Sequence, residues 1–143
     1  MIDSGTSITV SLVDHYDTQA IVDLYRAGGW WQDDYDPSEI PRLIKGSFAF
    51  AVAIETTSNR AVGMGRVLSD GVSDAYIQDL VILPAFRGRS IGKKIVSLLV
   101  KHCTKAGLSW IGLIAEPDSE EFYLPLGFER MTGHVPMIYR GED

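Results

Sequence analysis

Between Ser47 and Leu83 the hydrophobic pattern has a period of two, and that stretch fixes more of the fold than any other part of the chain. Phe48, Phe50, Val52 and Ile54 alternate with Ala49, Ala51 and Ala53, so one face of the strand carries large side chains and the other only methyl groups. Asn59-Arg60 lies in the polar connection to a second strand, Ala61 to Leu68, and Asp70-Gly71 marks the turn before a third, Ala75 to Leu83. Three successive strands with short turns predict an antiparallel meander.

Helical spacing dominates elsewhere. Thr6 to Val13 reads as a short strand; Asp17 then stands as an N-cap, with Ile21, Leu24 and Tyr25 on one face and Gly28-Gly29 at the end. A second helix opens with Asp36 as cap, Pro37 at the first helical position and Glu39 three residues after the cap, continues through Ile40, Leu43 and Ile44, and stops before Gly46. After the meander, Pro84 to Gly92 leads into a longer helix with Ile91, Ile95, Leu98, Leu99 and Cys103 on its apolar side, running to about Ala106-Gly107. A strand from Ser109 to Ala115, a short helix from Ser119 to Leu126, and two strands near Phe128 to Met131 and Pro136 to Tyr139 complete the order. The predicted fold class is mixed α and β (α+β).

Composition narrows the function. With 143 residues and 45% hydrophobic side chains, residues 1–143 are expected to form a single domain. Nineteen acidic against thirteen basic residues argue against a nucleic-acid partner, which demands clustered positive charge. Cys103 has no second cysteine to pair with, and His15, His102 and His134 lie far apart, so no disulfide and no metal site are expected. No apolar run approaches the ~18 residues of a membrane helix, and MIDSGTSITV lacks the basic start of a signal peptide. The expectation is a cytoplasmic chain without a membrane partner.

The segment that points to chemistry is a strand that runs into an Arg/Gly-rich turn and then a helix. A helix N-terminus presents unpaired N–H groups and the positive end of its dipole, a geometry suited to an anion such as pyrophosphate. Gly88 and Gly92 permit close backbone approach, while Arg87 and Arg89 add charge. The segment is neither GxxxxGK[ST] nor GxGxxG, so the nucleotide readings that rest on those motifs fail.

The residues and the element order together resemble the GNAT superfamily of acetyl-CoA-dependent N-acetyltransferases, whose pyrophosphate loop reads Q/R-x-x-G-x-G/A after a strand ending in V-x-P. Here the match is Ile82-Leu83-Pro84 followed by Arg87-Gly88-Arg89-Ser90-Ile91-Gly92. A second match lies downstream in EPDSEEFYLPLGF, Glu116 to Phe128, which is similar to the family's helix with an F/L-Y pair and a Gly-Phe step. RVLSDGVSDAYIQDLVILPAFRGRSIGKKI and FYLPLGF look especially like the plant and archaeal arylalkylamine branch that includes serotonin N-acetyltransferases. One departure is Ser90, where the family places glycine. A positive φ there would make serine costly, whereas a negative φ would make it a good helix cap.

The resemblance implies a twisted, mixed, mostly antiparallel sheet flanked by helices, with acetyl-CoA as cosubstrate and no metal. It implies that Leu80, Val81 and Ile82 face the pantetheine arm and thioester, where a backbone N–H can stabilise an oxyanion. It places Arg87, Gly88, Arg89, Ser90, Ile91 and Gly92 on the pyrophosphate, with Glu116 also beside the cofactor. Tyr123 matches the family's proton donor to the leaving thiolate, and a phenol with an ordinary pKa near 10 stays protonated at neutral pH.

An attacking amine must be neutral, so its proton has to be accepted. Asp79 is the carboxylate on the strand before the thioester, as base or amine-orienter. Alternation puts Tyr76 and Gln78 on one face and Asp79 on the other unless a bulge re-aims it. Trp31, Asp34 and Tyr35 in the loop between the first two helices, with Tyr76, Gln78 and Tyr139, are candidates for the acceptor pocket, where aromatic rings and carboxylates suit a cationic or arylalkyl amine. The expected reaction is direct transfer of acetyl to the primary amine of a small acceptor, by a chain that can act as a homodimer. Acetylation of a protein or peptide amine, and a non-catalytic CoA-binding sensor, are the alternatives.

Overall fold

The computed structural model describes residues 7–141; Thr6, at the expected start of the first strand, lies outside them. The described residues fall into two compact units that meet in sequence at Leu113 and Ile114.

The first unit runs β1 (Ile8–Leu12), α1 (Thr18–Ala27), a 3-10 turn (Pro37–Glu39), α2 (Ile40–Gly46), β2 (Ala49–Glu55), β3 (Arg60–Ser69), β4 (Asp74–Ile82), a 3-10 turn (Pro84–Phe86), α3 (Ile91–Lys105) and β5 (Trp110–Leu113). The sheet order is β1-β2-β3-β4-β5. The first four strands are antiparallel and β5 joins β4 in parallel, the mixed sheet expected from the sequence. α1 begins as the sequence predicts, with the Asp17 carboxylate accepting from the Ala20 N–H at 2.9 Å. α2 starts three residues later than predicted. Asp36 caps instead a 3-10 turn, accepting from the N–H and the hydroxyl of Ser38.

The alternation in β2 explains both layers. Phe50 and Val52, level with Arg66 and Met64 of β3, pack with Ile21, Leu24, Tyr25, Ile40 and Ile44 of α1 and α2. On the opposite face Ala51 and Ala53 are level with Gly65 and Gly63. A Cβ on Gly65 would lie 2.9 Å from Ile95 Cγ2 and 3.3 Å from Leu99 Cδ1, so these small residues are what lets α3 lie close to the sheet.

The second unit holds α4 (Glu120–Tyr123), a 3-10 turn (Leu124–Leu126) and an ion pair of Arg130 with Glu120. Here two expectations are corrected, because residues 128–141 form no strand. Thr132 N–H donates to Arg130 O, His134 N–H donates to Met131 O, and Gly133 sits at φ +84°, so the backbone closes a turn instead of a ladder. Pro136 has no N–H to give, and Val135, Met137 and Tyr139 are largely exposed. Their period of two matches a strand, but without a burying partner it carries no driving force.

Candidate active site

The site begins with a mismatch in strand length. β5 is aligned with β4 only from Asp74↔Trp110 to Ile77↔Leu113, so Gln78 to Ile82 of β4 run on without a neighbour on that side among the described residues. Leu83 N–H donates to Val62 O at 2.8 Å, and alternation along an antiparallel pair therefore turns the N–H group of Ile82 away from β3 and toward this open edge. Val81, level with Met64, faces β3. Of the three predicted backbone groups, the Ile82 N–H thus points toward the open edge.

In the middle of that edge β4 carries one extra residue. The β3–β4 register passes from Met64↔Val81 to Arg66↔Gln78, and Asp79 takes φ +61°. Such a bulge interrupts alternation, and it turns Asp79 to the face that holds Tyr76 and Gln78. There the carboxylate Oδ2 accepts from Tyr25 Oη at 2.7 Å and Arg66 Nε at 2.7 Å. Arg66 also donates to Ser47 Oγ at 3.3 Å, and Ser47 Oγ donates to Leu43 O. Four elements, α1, α2, β3 and β4, are tied through this one mostly buried ion pair, whose side chains are 15% and 21% exposed. The Tyr25 phenol is held protonated far above its ordinary range, first by burial and then by its bond to the Asp79 carboxylate.

The loop beyond β4 is shaped for an anion. Gly88 lies at φ +80° and Ser90 at φ +63°, and a Cβ on Gly88 would meet nothing within 4 Å. Ser90 precedes α3 without capping it, and the first intrahelical bond at this end runs from Lys94 N–H to Ser90 O. The N–H groups of Ile91, Gly92 and Lys93 are therefore left open at the positive end of a 15-residue helix. Arg87 Nε donates to Ile82 O at 3.1 Å, fastening the loop to the end of β4, and the Arg89 guanidinium lies 5.2 Å from the Phe86 ring. An open strand edge leading to a row of free N–H groups fits a long ligand with a phosphate group, which is the shape of acetyl-CoA.

Other predicted residues are more scattered. Trp31 and Tyr35 form an edge-to-face pair at 5.4 Å, with Asp34 exposed between them. Tyr76 packs at 5.2 Å against Trp110, a residue that sequence reasoning did not select. In the second unit Tyr123 stands edge-on to Phe122 and Phe128, and its pKa is raised by burial and then by the charge of Glu116. Tyr139 lies exposed in the strandless C-terminal stretch. Tyr25 and Arg66 were also missed; the available signal was a lone arginine inside the apolar run AVGMGRVL, which demands a buried counter-charge.

A groove of about 640 Å³ beside the β2–β3 turn, lined by Tyr16, Asp17, Leu24, Ile54, Arg60 and Leu83 among others, contains none of the predicted site residues. Among the described residues no group of three or more His, Cys, Asp or Glu side chains is placed to hold a metal ion.

Residues 13–128 match the model of the acetyltransferase (GNAT) family. The chain is 44% identical over 72 residues to an uncharacterized N-acetyltransferase, ycf52, of Porphyra purpurea, covering 50% of this chain and 41% of that protein. It is 29% identical over 126 residues to histone acetyltransferase TAP1 of Glycine max, covering 82% and 52%. It is 36% identical over 73 residues to serotonin N-acetyltransferase 2, chloroplastic, of Oryza sativa subsp. japonica, covering 51% and 36%. The matches thus span about half or less of these relatives' own length. Among solved structures, AAC(6')-Iy in complex with the bisubstrate analog CoA-S-monomethyl-acetylneamine superposes with a TM-score of 0.74 at 16% identity, over 96% of this chain and 99% of that one.

Proposed function

The chain belongs to the GNAT acetyltransferase family, and from that premise we propose that it moves the acetyl group of acetyl-CoA directly to the primary amine of a small arylalkylamine. The observation that carries the reading is the open edge of β4 beyond Ile77, continuous with the uncapped start of α3. When bound, acetyl-CoA supplies an activated acetyl thioester. The N–H groups of Ile91, Gly92 and Lys93, with Gly88, Arg87 and Arg89, hold its phosphates. The N–H group of Ile82 faces the thioester, where a donor aimed at a developing oxyanion lowers the barrier.

Asp79 presents Oδ1 to the incoming amine, because its two hydrogen bonds among the described residues end on Oδ2. We assign it the role of orienting that amine, with water taking the proton. Tyr123, its phenol kept protonated by burial and by Glu116, is assigned as donor to the departing thiolate. Likeness to a plant serotonin N-acetyltransferase supports an aromatic acceptor. Likeness to a Glycine max histone acetyltransferase over 82% of the chain supports a protein amine as the second reading.

Mass-spectrometric detection of N-acetylated product from arylalkylamines, polyamines, aminoglycosides, amino acids and a histone-tail peptide separates them. Acetylated arylalkylamine is expected. Product from the peptide alone replaces the first reading with the second, and acetyl-CoA binding without any product removes both in favour of a sensor.

A further inference from the structure

One aromatic pair on the acceptor face is built in a way that packing alone does not require. Tyr76 and Trp110 remain 45% and 38% exposed although their rings lie 5.2 Å apart. Tyr76 is level with Gly112, and the Trp110 indole folds along its own strand onto that glycine. A Cβ on Gly112 would lie 2.6 Å from Trp110 Cζ3, so only glycine admits the ring in this position. Gly112 has no positive φ among the backbone angles, which leaves space for the indole as the reason for a glycine inside β5.

Register places this platform with the Asp79 carboxylate. Tyr76 is level with Leu68, and Gln78 with Arg66, and cross-strand partners share a face. Arg66 reaches Asp79 Oδ2 on that face, and the bulge turns Asp79 there. Three residues of strand, about 10 Å, therefore separate an open aromatic surface from a carboxylate whose hydrogen bonds among the described residues both end on Oδ2. An amine with an aryl group at one end and an ammonium at the other matches both.

We infer that Trp110, seated on Gly112 beside Tyr76, binds the ring of the acceptor and selects arylalkylamines over aliphatic amines of the same reach. The inference rests on the acetyl-transfer reading and adds a specificity residue to it. Ring stacking acts on binding and leaves the reacting groups unchanged.

Steady-state kinetics with phenylethylamine and butylamine test it in the wild type, Trp110→Phe, Trp110→Ala and Gly112→Ala, with circular dichroism confirming each fold. Trp110→Ala is expected to raise KM for phenylethylamine about tenfold while kcat and the butylamine constants stay within about twofold. Trp110→Phe should recover most of the loss, and Gly112→Ala should reproduce it by displacing the indole. Equal losses on both amines, or none on phenylethylamine, overturn the inference.

A second arm follows the Trp110 indole N–H resonance, identified by its absence from Trp110→Phe, as each amine is added. A shift with phenylethylamine only, without turnover, supports the platform and sinks the acetyl-transfer reading. Turnover with the resonance unmoved sinks the platform and leaves that reading standing. Neither shift nor turnover overturns both.

Discussion

Asp79 and Ser90 hold left-handed backbone conformations, at φ +61° and +63°, that non-glycine residues adopt at a cost of about 1 kcal/mol or more. At Asp79 the strain is offset by the bonds from Tyr25 and Arg66. The folded state holds the Tyr25 proton more tightly than the unfolded chain, which releases it near pH 10. Tyr25 therefore stabilises the fold fully below about pH 10, and this is lost as pH climbs from there toward the higher folded-state value. Thermal unfolding measured from pH 8 to 11 should show a steeper fall in Tm for the wild type than for Tyr25→Phe; parallel curves would contradict the assignment. Tyr16 and Tyr123 shift in the same direction but are present in both proteins. At Ser90 no cap bond offsets the strain. Ser90→Gly should raise stability by about 1 kcal/mol, or ~3 °C in Tm, without weakening acetyl-CoA binding; an unchanged or lower Tm would show that the hydroxyl contributes something here. The sequence left two options open at Ser90, and the positive φ decides between them. The sequence marked Asp79 as a carboxylate on β4, but its direction was not legible, because a bulge is set by pairing and not by composition.

At the level of elements, the split between large and small residues along β2 and β3 sorts the helices onto the two faces of the sheet. Gly65→Val would push a side chain into Ile95 and Leu99 and should cost about 1–3 kcal/mol in denaturant unfolding, whereas an unchanged midpoint would mean α3 is not held at close range. Arg66→Leu should cost about 3 kcal/mol by stranding the Asp79 carboxylate, with part of the loss recovered in the Arg66→Leu/Asp79→Leu double variant. A double variant no better than the single would contradict a charge-driven loss. The meander, α1, α3 and the loop between β4 and α3 were legible because each has local signals: alternation, an Asp cap, a Gly-rich turn. β5 is shorter than the apolar run Ser109 to Ala115 suggested, and the two C-terminal strands are absent, because a ladder depends on a partner that periodicity does not report. Trp110 escaped notice for the same reason, since only register reveals that it shares a face with Tyr76 and Asp79.

At the scale of the whole molecule, the proposed function requires that residues of the chain, and not acetyl-CoA alone, drive transfer to the amine. Tyr123 is the side chain on which this bears most, and removing one hydroxyl changes little else. Thiol release from acetyl-CoA in the presence of a saturating arylalkylamine, compared between the wild type and Tyr123→Phe, is the most direct measurement. Steady release by the wild type is expected, with a kcat at least ~10²-fold lower in the variant and a nearly unchanged KM for acetyl-CoA. Equal kcat in the two proteins would contradict the assigned proton donor, and release that does not depend on the amine would contradict the transfer itself.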